Sequence, residues 1–135
     1  MNEADTRAEY IDKQLEAAGW LTSAETGVRV WREYNINAGE IRSSGIRTGQ
    51  LKADYILEYK NTKLAVVEAK SNELDVSEGV AQAKLYAEKL RLQTSFAANG
   101  KAIYEINHAK GTEGEVATFP SPEELWQRVY GSGNE

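Results

Sequence analysis

Apolar residues recur at three- and four-residue steps at the start of the chain: Ala4, Ala8, Ile11, Leu15 and Ala18. That spacing lines one face of an amphipathic helix over residues 3–18, and Gly19 supplies its stop. Trp20 and Leu21 are then expected to fold back onto the core. The stretch VRVWREY, residues 28–34, alternates as a strand does. Residues 35–50 carry three glycines and no sustained period, so they read as a long loop with a short strand around Ile41. Loops of that length in a compact domain are usually functional. Arg42 and Arg47 are either solvated loop charges or contacts for DNA.

The segment LKADYILEYKNTKLAVVEAK, residues 51–70, reads as two strands joined by a tight polar turn at Asn61-Thr62. Leu64-Ala65-Val66-Val67 is a continuous apolar run, the mark of a strand covered on both faces. A turn over residues 71–77 offers Asp75 or Ser77 as an N-cap, and a helix runs on to about Leu92 through Val80, Ala81, Leu85 and Leu90. Asn99-Gly100 between residues 94–98 and 102–106 signals a second hairpin. Residues 107–114 read as a polar loop. Ser121 as N-cap, Pro122 at the first helical position and Glu123 and Glu124 in the first turn open a last short helix. The tail GSGNE, residues 131–135, has the composition of a linker, leaving 1–130 as the folded domain. The order α-β-β-β-α-β-β puts a mixed sheet between helices.

Length and composition narrow the function. With 135 residues the chain makes one domain with one core. It has no cysteine, which excludes disulfides and thiolate metal sites, and its one histidine, His108, is expected in an exposed loop. No apolar stretch approaches the ~20 residues of a membrane span, and the acidic amphipathic start is no signal peptide, so a cytoplasmic location is expected. The net charge of −5 argues against a protein that finds DNA by itself. Residues 28–70 nevertheless hold eight Lys and Arg against five Asp and Glu, a local excess of +3. A modestly basic face on an acidic domain suits a protein delivered to DNA by others.

The chemistry concentrates in that central segment. Side chains alternate along a strand, so Glu68 and Lys70 point one way and Ala69 the other. Closing the hairpin near residues 60 and 63 brings Asp54 opposite a residue between 68 and 70. Two carboxylates and an ammonium thus converge, and the carboxylates offer hard oxygen ligands for Mg²⁺, with the Ala69 carbonyl as a third. Mn²⁺ can substitute. Such a site suits phosphodiester hydrolysis, with Asp54 and Glu68 on the metal. Lys70 would orient or deprotonate the attacking water, or stabilise the transition state; the residues leave that choice open. Gln82 and Tyr86, four apart on the following helix, share a face.

Ala53-Asp54 followed by Glu68-Ala69-Lys70 resembles the PD-(D/E)XK nuclease signature, with alanine in place of the proline. Gln82 through Tyr86 is similar to the QxxxY motif of one branch of those nucleases. EADTRAEYIDKQLEAAGW, KADYILEYKNTKLAVVEAK, QAKLYAEKL and FPSPEELWQR together resemble the N-terminal nuclease domain of the restriction (R) subunit of type I restriction enzymes, from about Glu3 to about Arg128. The resemblance implies a restriction-endonuclease-like αβββαβ core, and a role for Gln82 and Tyr86 in holding the phosphate or a metal-bound water. It implies an acid from the first helix near the site, Glu9 first and Glu3 next. It also implies DNA as substrate, a translocase following the nuclease, and separate specificity and methylation subunits. ATP would act only through that motor, since this chain has no phosphate-cradling GxxxxGK[ST] loop. Two other readings are a catalytically silent nuclease fold used for DNA or subunit docking, and an interaction domain whose acidic face binds a partner.

Overall fold

The computed structural model describes residues 2–36 and 51–131; the strand expected around Ile41, Arg42, Arg47 and the tail from residue 132 lie outside them. The first helix forms as α1 (Glu3–Thr6), a π-helical turn (Arg7–Ile11) and α2 (Asp12–Ala17), joined without a break because the residues at each junction keep right-handed helical angles. Gly19 ends it at φ +104°, where an added Cβ would stand 3.2 Å from Pro122 Cδ. Trp20 is buried and donates to the Pro120 carbonyl (2.8 Å). Leu21, expected inside, is 60% exposed, and Trp20 beside it takes the inward position.

Six strands follow: β1 (Val28–Asn35), β2 (Lys52–Tyr59), β3 (Thr62–Ala69), β4 (Thr94–Ala98), β5 (Ile103–Asn107) and β6 (Thr112–Val116). They form one sheet in the order β1-β2-β3-β4-β5-β6. All neighbours are antiparallel except β3 and β4. A parallel pair needs a crossover, which α3 (Val80–Leu90) supplies after a 3₁₀ turn (Val76–Gly79) that Asp75 caps through Ser77 N–H. The helix stops at Arg91, in left-handed conformation, and not at Leu92. α4 (Pro122–Tyr130) starts as its sequence predicts, with the Ser121 hydroxyl accepting from Glu124 N–H (3.1 Å).

The sheet has a helical layer on each face. Ile11, Leu15, Trp20 and Leu125 cover Tyr55, Leu57, Val67 and Phe96 on one side. Tyr86 and Ala87 of α3 cover Ile56 and Val66 on the other. This is a mixed sheet flanked by helices, in keeping with the restriction-endonuclease-like class expected.

Two further expectations fail. Residues 107–114 are no simple loop, because β6 pairs along β5 from Ile103–Val116 to Asn107–Thr112. As an edge strand with Thr112, Glu113 and Glu115 exposed, it buries nothing that would print a pattern. His108 is half-buried, hydrogen-bonded to Ser95 Oγ through Nε2 (2.9 Å). Burial, with the Lys84 charge nearby, lowers its affinity for a proton.

The first helix is tied to the sheet by a polar contact. Asp12 Oδ1 accepts from the Tyr55 hydroxyl (2.6 Å) and from Arg32 Nη1 (2.9 Å). Burial and that carboxylate push the Tyr55 hydroxyl far above the ordinary phenol range, so it remains a donor. Tyr55→Phe keeps the ring and removes the donor, and should lower stability by about 1–2 kcal/mol in urea unfolding. An unchanged midpoint would show that Arg32 alone satisfies Asp12.

Candidate active site

The β2–β3 hairpin sets the site. Lys60 and Asn61 both take positive φ (52° and 63°), a two-residue turn closed by Tyr59 and Thr62, one residue earlier than the sequence suggested. From that turn alone, Asp54 would face Val67. A bulge intervenes: Glu58 pairs with Lys63, but Leu57 pairs with Ala65. The one-residue shift carries on to the Tyr55–Val67 pair, so the next step puts Asp54 across from Glu68.

There the ladder gives way to side chains. Asp54 N–H donates to Glu68 Oε2 (3.0 Å), and Ala69 N–H donates to Asp54 Oδ2 (2.7 Å). β3 still pairs with β4 at this level, through Glu68–Ala97 and Ala69–Ala98, and Lys70 N–H donates to the Ala98 carbonyl (2.8 Å). The site therefore occupies the cleft where β2 and β3 part while β3 stays anchored.

Glu68 is 2% exposed. Burial first, and then the charge of Asp54, push its carboxyl up to about 9, against the opposing pull of Asp54 N–H and Lys70. Without a cation it holds its proton at neutral pH. The Lys70 stem lies against Gly79, where an added Cβ would stand 3.4 Å from Lys70 Cγ and from Ala97 Cβ.

The other residues singled out by sequence divide. Tyr86 is 2% exposed, and its hydroxyl is raised by burial and by the charges of Glu68 and Asp54, which places it within their field. Gln82 Nε2 donates to that hydroxyl (2.7 Å), so Gln82 holds Tyr86 in place. From the first helix, Glu3 and not Glu9 faces the site. Burial and Asp54 raise the Glu3 carboxyl, and Arg7 and Lys70 lower it. Glu9 is exposed; six residues on at about 100° each, it lies roughly 240° around the helix from Glu3.

Sequence reading passed over Arg7. Its Nη1 contacts Asp54 Oδ1 at 2.9 Å, and its Nη2 lies 3.7 Å from Glu33 Oε2. The signal was available: Arg7 is four residues from Glu3, one helical turn along the same face. Among the described residues, no three carboxylate or imidazole side chains form a ready-made metal cage. The donors are the Asp54–Glu68 pair, with Glu3 nearby.

The raised Glu68 carboxyl fixes a sign. Its proton is bound more tightly in the folded state, so its stabilising effect is complete below pH ~4.5 and is lost as pH rises toward its folded value of about 9. Glu68→Gln should therefore match wild-type stability in EDTA near pH 4.5 and exceed it by a growing margin as the pH is raised to 8. A difference that stays flat with pH would show that Glu68 ionises freely.

Comparison with known proteins identifies relatives of the chain. Residues 16–125 match the family model for the second domain of the type I restriction enzyme EcoKI endonuclease subunit. The chain is 30% identical to the type I restriction enzyme EcoAI endonuclease subunit of Escherichia coli, over 95% of this chain and 16% of that protein. It superposes with a TM-score of 0.85 and 35% identity on a fragment assigned to the HsdR subunit of a type I restriction enzyme from Vibrio vulnificus YJ016, covering 97% of this chain and 26% of that one. The chain thus spans a small part of the relatives it matches, and it belongs to the family of type I restriction enzyme endonuclease subunits.

Proposed function

We infer that the chain is the nuclease module of such a subunit and hydrolyses DNA phosphodiesters with Mg²⁺, for which Mn²⁺ can substitute. The observation that carries this is the Asp54–Glu68 pair at the parting of two strands, Glu68 buried and Asp54 partly so, with Lys70 directly after β3. The donor set fits a hard divalent cation. Mg²⁺ is commonly held by one or two carboxylates and keeps several waters, so a two-carboxylate site needs no full cage. Asp54 and Glu68 would hold it, with the Ala69 carbonyl. When bound, the metal supplies a lowered water pKa and stabilisation of charge on the phosphate.

The remaining roles belong to the chain itself. The buried Glu68 carboxylate needs a cationic partner to offset its desolvation, so its ionisation and the binding of a metal would support each other. Lys70 offers ammonium donors to the attacking water or to a phosphate oxygen. Tyr86, kept protonated by its surroundings and steered by Gln82, offers a hydroxyl on the α3 side. DNA would be brought in by other parts of the enzyme, because the net charge of −5 repels the phosphate backbone. On this reading residues 1–130 are the nuclease domain and 131–135 begin a linker to an ATP-driven translocase. Specificity and methylation subunits are the further partners, and the location is cytoplasmic. No helix among the described residues is long and apolar enough to cross a membrane.

Nicking of supercoiled plasmid at low salt tests the assignment. Asp54→Asn and Lys70→Met should each remove Mg²⁺-dependent nicking, while Lys70→Met still binds Mn²⁺ in calorimetry. Tyr86→Phe should slow the reaction by roughly 10–10²-fold, less than loss of a fully enclosed transition-state donor. Equal nicking by wild type and Asp54→Asn would remove the site. Metal binding without any nicking, in this chain or in the assembled enzyme, would leave the docking reading.

A second expectation concerns affinity. Gel shifts with the isolated chain should show weak, sequence-independent binding of duplex DNA that disappears between low and physiological salt. Tight binding of one sequence would identify an enzyme that finds its own site.

A further inference from the structure

Arg7 occupies the atom that a metal needs. Its guanidinium holds Asp54 Oδ1 at 2.9 Å, and the other carboxylate oxygen is taken by Ala69 N–H. Arg7 comes from a π-helical turn, a distortion that often marks a functional position. Thr6 beside it is fully buried and accepts from Asn72 N–H (3.0 Å), which pins this end of the helix just beyond β3. The Arg7 side chain keeps 22% of its surface exposed, so it has room to move.

A place for it to go stands alongside. Glu33 lies 3.7 Å from Arg7 Nη2, and its side chain is 61% exposed. Its backbone sits at φ +50°, an unfavourable conformation for a residue that is not glycine, in the middle of a strand. In the β1–β2 register, position 33 falls between the Arg32–Tyr55 and Tyr34–Ala53 pairs, level with Asp54. Two carboxylates, Asp54 inside the cleft and Glu33 outside, thus share one guanidinium.

We propose that Arg7 is a displaceable counter-ion: it neutralises Asp54 before metal enters, and a divalent cation takes Asp54 Oδ1 and shifts the guanidinium onto Glu33. This rests on the nuclease reading above and adds regulation of the same site. Without Arg7 the empty pair would carry uncompensated charge. With it, the metal must compete against an ion pair, so loading is weakened in exchange for an assembled site. No covalent step is involved; the exchange is of ionic contacts only.

Two neighbours that are not ligands should therefore act in opposite directions on metal binding. Arg7→Gln should tighten Mn²⁺ binding, measured by isothermal titration, by about fivefold or more, because it removes both the competitor and a like charge. Glu33→Gln should weaken it by roughly twofold, because it removes the guanidinium's alternative partner. Melts of Arg7→Gln should fall below wild type in EDTA and recover most of the loss in saturating Mn²⁺, whereas a purely structural arginine would cost the same in both.

If Arg7→Gln does not fold, the wild-type chain still answers. The Arg7 guanidinium resonances in an arginine-labelled sample should shift with Mg²⁺ and saturate at the concentration that fills the site. Unmoved Arg7 resonances at saturation, or Mn²⁺ binding no tighter in Arg7→Gln than in wild type, would overturn the proposal. Wild-type Mn²⁺ binding that Asp54→Asn leaves intact, or no binding at all, would overturn the nuclease reading and this inference with it.

Discussion

Everything distinctive about this chain follows from one unfavourable placement: two carboxylates opposed across a parting hairpin, one of them almost wholly out of water. Such a pair is stable only if something neutral or positive is close to each acid. Here the neutralisation is divided. Glu68 keeps a proton, Asp54 is held by Arg7, and the backbone N–H groups of Asp54 and Ala69 each donate to a carboxylate. A divalent cation would satisfy the same demands with a single centre.

The scaffold is arranged to hold that placement. The bulge at Leu57 and Glu58 sets Asp54 against Glu68, and without it the hairpin would bring Val67 there. The parallel pairing with β4 keeps Glu68 and Ala69 fixed after β2 has left. The Asp12–Tyr55 hydrogen bond and buried Thr6 fix the first helix, from which Glu3 and Arg7 reach the cleft. On the opposite face α3 delivers Tyr86, aligned by Gln82. The cleft is therefore lined from both helical layers, which a site at the splayed end of a sheet permits and one at its centre would not.

Much of this was legible in the residues because it depends on short-range rules. The β2–β3 strands, the Ser121 cap, the buried Trp20 and the convergence of Asp54 with Glu68 each follow from alternation, capping preference or hairpin pairing. What escaped has its own physical reasons. β6 is an edge strand with little to bury, so no hydrophobic pattern marks it. Leu21 is as apolar as Trp20, but the place inside goes to Trp20, whose indole N–H bonds the Pro120 carbonyl. Glu9 and Glu3 differ by their angle around a helix whose contact face only the packed structure fixes. Arg7 and Glu33 were invisible as partners because they lie 26 positions apart, one on a helix and one on a strand, and no local pattern pairs them. His108 was read from its polar neighbours, whereas its contact with Ser95 crosses between strands.

On the proposed reading, Asp54 and Glu68 together form a metal site. A crystal of this chain soaked in Mn²⁺, with data collected at a wavelength where manganese scatters anomalously, tests it most directly. One anomalous peak is expected between the two carboxylates, with Asp54 Oδ1 among the ligands and the Arg7 guanidinium withdrawn from it. Crystals that take up Mn²⁺ elsewhere while Arg7 remains on Asp54 would contradict it.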